Sequence, residues 1–229
     1  MPYGFQVEIS GEYACFSRPE LKVERVSYEI ITPSAARGIL EAILWKPAIC
    51  YVIDQINICS PIRFVNVRRN EVNNKISYSS IKNAEQKYAD GTLYLDASGN
   101  RAQRASMILR DVCYVVTGHF EMTDRAGSGD NEGKFADMLR RRLEKGQNYH
   151  MPYLGTREFP AQVRLIADGQ PPPKPIPESR ILGLMLYDID YVTLQGKDGQ
   201  AIVKAFEPKY FFAEMKCGVV DLRGVEILR

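Results

Sequence analysis

Apolar and polar positions alternate near the start of the chain. Phe5, Val7 and Ile9 are apolar, whereas Gln6, Glu8 and Ser10 are polar, which is the period of a half-buried strand. The period then changes. Ala36, Ile39, Leu40, Ile43 and Leu44 fall at helical spacing and line one face. Thr32 stands where an N-cap belongs, and Pro33 suits the first turn. Arg37 and Glu41 form an i,i+4 pair on another face, and Pro47 is expected to stop the helix. Residues 49–58 read as a strand with a slip in its alternation at Asp54-Gln55. Residues 111–122 read as a strand buried on both faces. After a Gly-rich turn, residues 131–145 form a second helix with Phe135, Met138, Leu139 and Leu143 as its apolar stripe. Acids at its start and Arg140, Arg141, Arg142 and Lys145 at its end suit the helix dipole, and Gly146 is a natural C-terminal cap. A strand over 161–166 follows.

The order is β-α-β, a polar insertion at about 60–110, then β-α-β, which predicts an α+β, ferredoxin-like (split βαβ) domain over residues 1–169. Such a fold presents an open sheet face opposite its helices. That face is a common platform for single-stranded RNA, but the fold hosts many functions. Residues 170–177, Q-P-P-P-K-P-I-P, make a stiff connector. Residues 178–229 then read as a small antiparallel β-domain of five short strands, with a hairpin turn at Gly196-Lys197-Asp198-Gly199.

Composition narrows the class. The 229 residues are 45% hydrophobic and carry a net charge of +2, which excludes a disordered chain. No apolar run approaches the ~18 residues of a membrane span, and the first residues lack the pattern of a secretory signal. Five widely spaced cysteines without a C-x-x-C pair argue against a disulfide framework or a zinc site. A reducing cytoplasm is therefore expected. Charge is uneven: residues 63–110 hold nine bases against four acids. That stretch is either a solvated insertion or a nucleic-acid contact surface. From Ile181 onward six bases face seven acids, a poor balance for binding phosphate.

Walker, dinucleotide, nucleophile-elbow and H-E-x-x-H motifs are absent. With two histidines, His119 and His150, a His-rich metal site cannot be built. Metal-free acid-base chemistry on RNA remains open. The ribose 2′-OH attacks the neighbouring phosphate when a base takes its proton, an acid protonates the leaving 5′ oxygen and a cation steadies the phosphorane.

Several segments carry a resemblance. S-Y-E-I-I-T-P-S-A-A-R-G-I-L-E-A-I-L-W-K-P-A-I (27–49), P-I-R-F-V-N-V-R-R-N-E-V (61–72), L-R-D-V-C-Y-V-V-T-G-H-F-E-M (109–122), N-E-G-K (131–134) and Y-L-G-T-R-E-F (153–159) resemble the Cas-five-d family of CRISPR-associated proteins, the subtype I-C (Dvulg) branch. The resemblance implies a RAMP-type ferredoxin-like domain with a small C-terminal β-domain. It implies a metal-independent endoribonuclease, needing no cofactor, that cuts the repeat hairpin of precursor CRISPR RNA. Such a protein then stays on the 5′ handle beside the other Cascade subunits.

The family's catalytic pattern is only partly present. Where family members carry Tyr or His just before W-K-P, this chain has Leu44. Where a Lys-His pair follows N-E-G, it has Lys134-Phe135. Lys134 therefore carries over, and His119, Tyr149 and His150 are the candidate replacements. Arg37, Lys46, Arg68, Arg69 and Arg157 are the candidate RNA contacts. The alternative is a non-catalytic RNA-binding scaffold of the effector complex, a variant of which also binds duplex DNA.

Overall fold

The computed structural model describes residues 4–21, 23–87, 93, 95–167, 169–195 and 201–229. Strand β1 (Phe5–Ala14) leads to helix α1 (Pro33–Ile43), and β2 (Ile49–Ile58) returns alongside the sheet. β3 (Phe64–Val72) and α2 (Tyr78–Lys87) follow, then the 22-residue β4 (Arg101–Met122), α3 (Glu132–Glu144) and β5 (Gln162–Leu165). The chain closes with β6 (Arg180–Gln195), β7 (Ala201–Met215) and β8 (Val219–Asp221).

The main sheet runs β5-β1-β4-β2-β8, with every pair antiparallel. Leaving β8 aside, this is the strand order of a ferredoxin-like fold. The slip expected near Asp54 is a bulge between Ile53 and Gln55. β4 shows how the two faces divide. Val112, Tyr114, Val116 and Phe120 enter the core with α1 and α3, while Cys113, Thr117 and His119 take the opposite face. Phe5, Tyr51 and Phe120 stack within 5.1–5.8 Å in that core. Each such buried side chain contributes about 1.5–3 kcal/mol. Gly118 is required by close approach, since a Cβ there would strike the Val52 carbonyl and the Phe5 ring.

Three expectations change. The first helix ends at Ile43, before Pro47, because its last carbonyls are claimed from outside, as described below. The stretch that reads as a polar insertion carries order of its own: β3 pairs with β4 from Phe64↔Leu109 to Val72↔Arg101, so the second central strand starts at Arg101 rather than Asp111. The C-terminal stretch is not five short strands. β6 and β7 form one long hairpin whose register shifts at Ile181/Gly183, Leu186/Asp188 and Val192/Thr193. Those bulges flip the alternation and make two strands read as fragments. The turn expected at residues 196–199 lies outside the described residues. β8 leaves the hairpin and joins β2, and Leu182, Met185, Phe211, Ala213 and Met215 share the core of the main sheet.

Candidate functional site

The end of α1 builds the site. A helix leaves its last carbonyls without intrahelical donors, and here other segments supply them. The N–H groups of Tyr149 and His150 both donate to the Ala42 carbonyl, at 2.9 and 3.0 Å. Arg142 donates to the Ile43 carbonyl, and the buried Tyr51 hydroxyl donates to the Leu44 carbonyl at 2.7 Å. Leu44 turns extended, and Trp45 and Lys46 are thrown out to solvent. The loop after α3 is thereby fastened beside them.

The result is a groove of about 830 Å³ whose floor is Gly38, Glu41 and Ala42 of α1. Trp45, Lys46, Arg142, Tyr149, His150, Met151, Tyr153 and Arg157 form its walls. Its apolar groups are unusually open: Trp45 is 60% exposed, Tyr149 75% and Met151 70%. The Tyr149 and His150 rings meet edge to face with centroids 4.4 Å apart. Lys46 and Arg157 are exposed and make no ion pair among the described residues. Burial pushes the Glu41 carboxyl up against the pull of Arg37. The wall carrying Tyr153 and Arg157 is fixed by Gly155, at φ +83°, where any Cβ would collide with the Cys15 carbonyl. A second recess of about 450 Å³ shares Gly38, Ala42 and Tyr153 and continues along α1 to Thr32 and Ser34, beside Asp188 and Tyr191 of β6.

Four of the sequence-predicted residues, Lys46, Tyr149, His150 and Arg157, are therefore brought together. The other five lie elsewhere. Arg37 grips Asp188 of β6 through both terminal nitrogens and lies 3.5 Å from Glu41. Arg69 pairs with Glu158 and donates to Ser106 at 3.3 Å. Burial raises the Glu158 carboxyl, but the bond and charge of Arg69 outweigh it and hold the group below the usual carboxylate range. Arg68 is exposed on the other face of β3. Lys134 sits in the first turn of α3 with its Nζ 2.7 Å from Asp130. The Asp130 carboxyl is held low by Lys134, then by the Gly127 N–H, with a smaller contribution from Lys46. His119 lies on the open face, its Nδ1 2.8 Å from the Asp54 carboxylate.

The open face has polar side chains at its centre, among them Glu8, Thr117 and His119. Glu8 of β1 and Arg164 of β5 form an ion pair on it. The connector crosses its end, with the Ile176 N–H on the Ile58 carbonyl at 2.9 Å and the Cys59 thiol on the Pro173 carbonyl at 3.5 Å. Leu44 and Phe135, which replace expected catalytic groups, are 0% and 3% exposed and pack in the core. Sequence reasoning missed Trp45, Met151 and Tyr153 as site residues, and Asp54 as the partner of His119. The available signal was three large apolar side chains flanking the basic and histidine positions without joining any periodic stripe.

Chemically, the groove combines flat rings on which bases stack, unpaired cations for phosphates and an imidazole beside a phenol. Among the described residues, no three His, Cys, Asp or Glu side chains group closely enough to hold a metal.

The family model described as CRISPR-associated protein (Cas_Cas5), that of the Cas5d group, matches residues 4–223. The chain is 48% identical over 221 residues to the CRISPR pre-crRNA endoribonuclease Cas5d of Mannheimia succiniciproducens, covering 95% of this chain and 93% of that protein. It is 38% identical over 228 residues to the protein of the same name in Thermus thermophilus, covering 95% and 90%. A crystal structure of a CRISPR-associated protein superposes with a TM-score of 0.66 at 19% identity, over 99% of this chain and 96% of the other. A functionally uncharacterized protein from Streptococcus mutans does so at 0.64 and 19%, over 99% and 97%. The likeness of the last two concerns the fold.

Proposed function

Because this chain belongs to the Cas5d family of CRISPR-associated proteins, we propose that it is an endoribonuclease that cuts repeat hairpins in precursor CRISPR RNA and stays on the 5′ handle as a subunit of the effector complex. The observation that carries the reading is the groove at the end of α1, where Lys46, Arg157, Tyr149 and His150 converge beside exposed rings.

In this reading, bases flanking the cut stack on Trp45, Tyr149 and Tyr153, while Lys46 and Arg157 hold the phosphate. His150 takes the 2′-OH proton, the 2′ oxygen attacks phosphorus, and the leaving 5′ oxygen is protonated by Tyr149. Lys134 steadies the charge that develops on the phosphorane. Lys134 is exposed and pairs with Asp130 outside the groove's lining, and in this reading the phosphate draws it from that carboxylate. The chemistry needs no metal and no other cofactor, and it is confined to RNA because deoxyribose lacks the nucleophile. We place it in the cytoplasm, alongside the other subunits of the complex. No helix among the described residues is long and apolar enough to cross a membrane.

The burial of Leu44 and Phe135 favours a second reading, a scaffold that binds repeat RNA, and in one form duplex DNA, without cutting. One assay separates the two. Repeat hairpin RNA is incubated with the protein in excess EDTA, beside an RNA with 2′-deoxyribose at the scissile position. Cleavage of the first and not the second is expected. Intact RNA in both arms leaves the scaffold, and equal cutting of both overturns the 2′-OH mechanism.

A further inference from the structure

The ribbon made by β3 and the first half of β4 sorts its charges by face. On the inner face every charged group is paired. Arg69 holds Glu158, and Glu71 lies 3.2 Å from Arg25 and 3.7 Å from Arg104. Ser106 and Ile108 are buried there. The outer face carries Asn66, Arg68 and Asn70 on β3, opposite Met107, Ala105 and Gln103 on β4, and Arg101 opposite Val72. It holds no acid. Asn66, Arg68, Asn70, Arg101 and Gln103 are all exposed. Among the described residues none of the five makes a side-chain hydrogen bond or ion pair.

An extended row of amides and guanidinium groups with no internal partner suits a nucleic-acid duplex. Amides both donate to and accept from base edges and ribose hydroxyls, and arginines reach the flanking phosphates. The minor groove of A-form RNA is wide and shallow and displays 2′-hydroxyls, whereas its major groove is too narrow to enter. A two-stranded ribbon bearing amides along its exposed face matches the former.

We propose that this outer face seats the base-paired stem of the repeat RNA along its minor groove. Asn66, Asn70 and Gln103 bond 2′-hydroxyls and base edges, and Arg68 and Arg101 contact phosphates. This rests on the reading that the chain acts on a repeat hairpin, and it sets where the stem lies relative to the cut. The link is the pair between Arg69 and Glu158. Glu158 adjoins Arg157, so the inner face ties the ribbon to the loop that walls the groove.

The test compares wild type with N66A/R68A/N70A/R101A, whose fold is checked by circular dichroism. Three probes are bound: the repeat hairpin RNA, an unpaired RNA of the same composition and a DNA hairpin of the same sequence. The variant is expected to lose about tenfold or more in hairpin RNA affinity, and its salt slope should shrink by about two, one for each lost phosphate contact. Unpaired RNA should bind both proteins within twofold. Equal hairpin affinity in the two proteins overturns the proposal, as does an equal loss for unpaired RNA. A DNA hairpin bound by wild type as tightly as the RNA one, and lost to the same degree, overturns the minor-groove assignment. If wild type leaves repeat RNA uncut, the nuclease reading falls while these binding comparisons still decide where the stem sits.

Discussion

The two imidazoles of the chain live in different surroundings. His119 is bonded to Asp54 on the open sheet face, and His150 stands in the groove against Tyr149. Proton transfer by a positioned side chain is worth about 10²–10⁴ in rate. H150A should therefore slow single-turnover cleavage at saturating RNA by at least ~10², while H119A should leave the rate close to wild type. The reverse outcome would move the scissile strand to the open face. K134A should cost about 10² in rate with little change in affinity, as loss of one transition-state contact does. Asp130 is held low by Lys134, so that pairing persists until pH falls below the usual carboxylate range, and it adds no inflection to a cleavage profile near neutrality. Lys46, Tyr149, His150 and Arg157 were legible as candidates because they are polar positions next to family-like motifs. Their convergence was not. The contact between the Ala42 carbonyl and residues 149 and 150 spans more than a hundred residues and leaves no trace in local periodicity.

At the scale of elements, local chemistry was the reliable guide. The Thr32 cap accepts the Ala35 N–H at 3.2 Å, and T32A should cost about 1 kcal/mol, measured by urea unfolding. What escaped was set by partners. α1 stops early because Tyr51, Arg142 and the loop after α3 take its carbonyls, and β6 and β7 read as fragments because bulges break their alternation. β3 was hidden differently: its apolar residues, Phe64, Val65, Val67 and Val72, fall on both faces and do not alternate regularly with its polar ones. The short β8 adds a pH signature. Hydrogen bonds from Arg223 push the Asp221 carboxyl down to about 2. A depressed carboxyl contributes stability above its unfolded value of about 3.9, and that contribution fades as pH falls toward about 2. Both side chains are about half exposed, so solvent screens most of the effect. Melting temperature followed between pH 6 and 2 should fall slightly less steeply in D221N than in wild type.

For the whole molecule, the question is what holds the C-terminal hairpin against the helix that floors the groove. The β6–β7 hairpin buries Met185 and Phe211 in the common core. Its one two-pronged polar link to α1 among the described residues is Arg37 on Asp188, with side chains 27% and 19% exposed. Desolvation opposes the charge on Arg37, but Asp188 and Glu41 outweigh it and push its guanidinium up. A cation already answered by two carboxylates is a poor phosphate ligand, although the sequence offered it as one. The pair is neither fully buried nor fully solvated, so breaking it should cost about 1–2 kcal/mol, between the values for surface and buried pairs. R37K keeps the charge but loses the two-pronged geometry, so it should recover only part of that cost. In a double-mutant cycle, R37A and D188N should couple strongly in urea unfolding, and limited proteolysis within the hairpin should rise in each. The salt slope of RNA binding by R37A should match wild type. A slope reduced by about one, as for a lost phosphate contact, with no change in stability, would reverse the assignment and return Arg37 to the RNA.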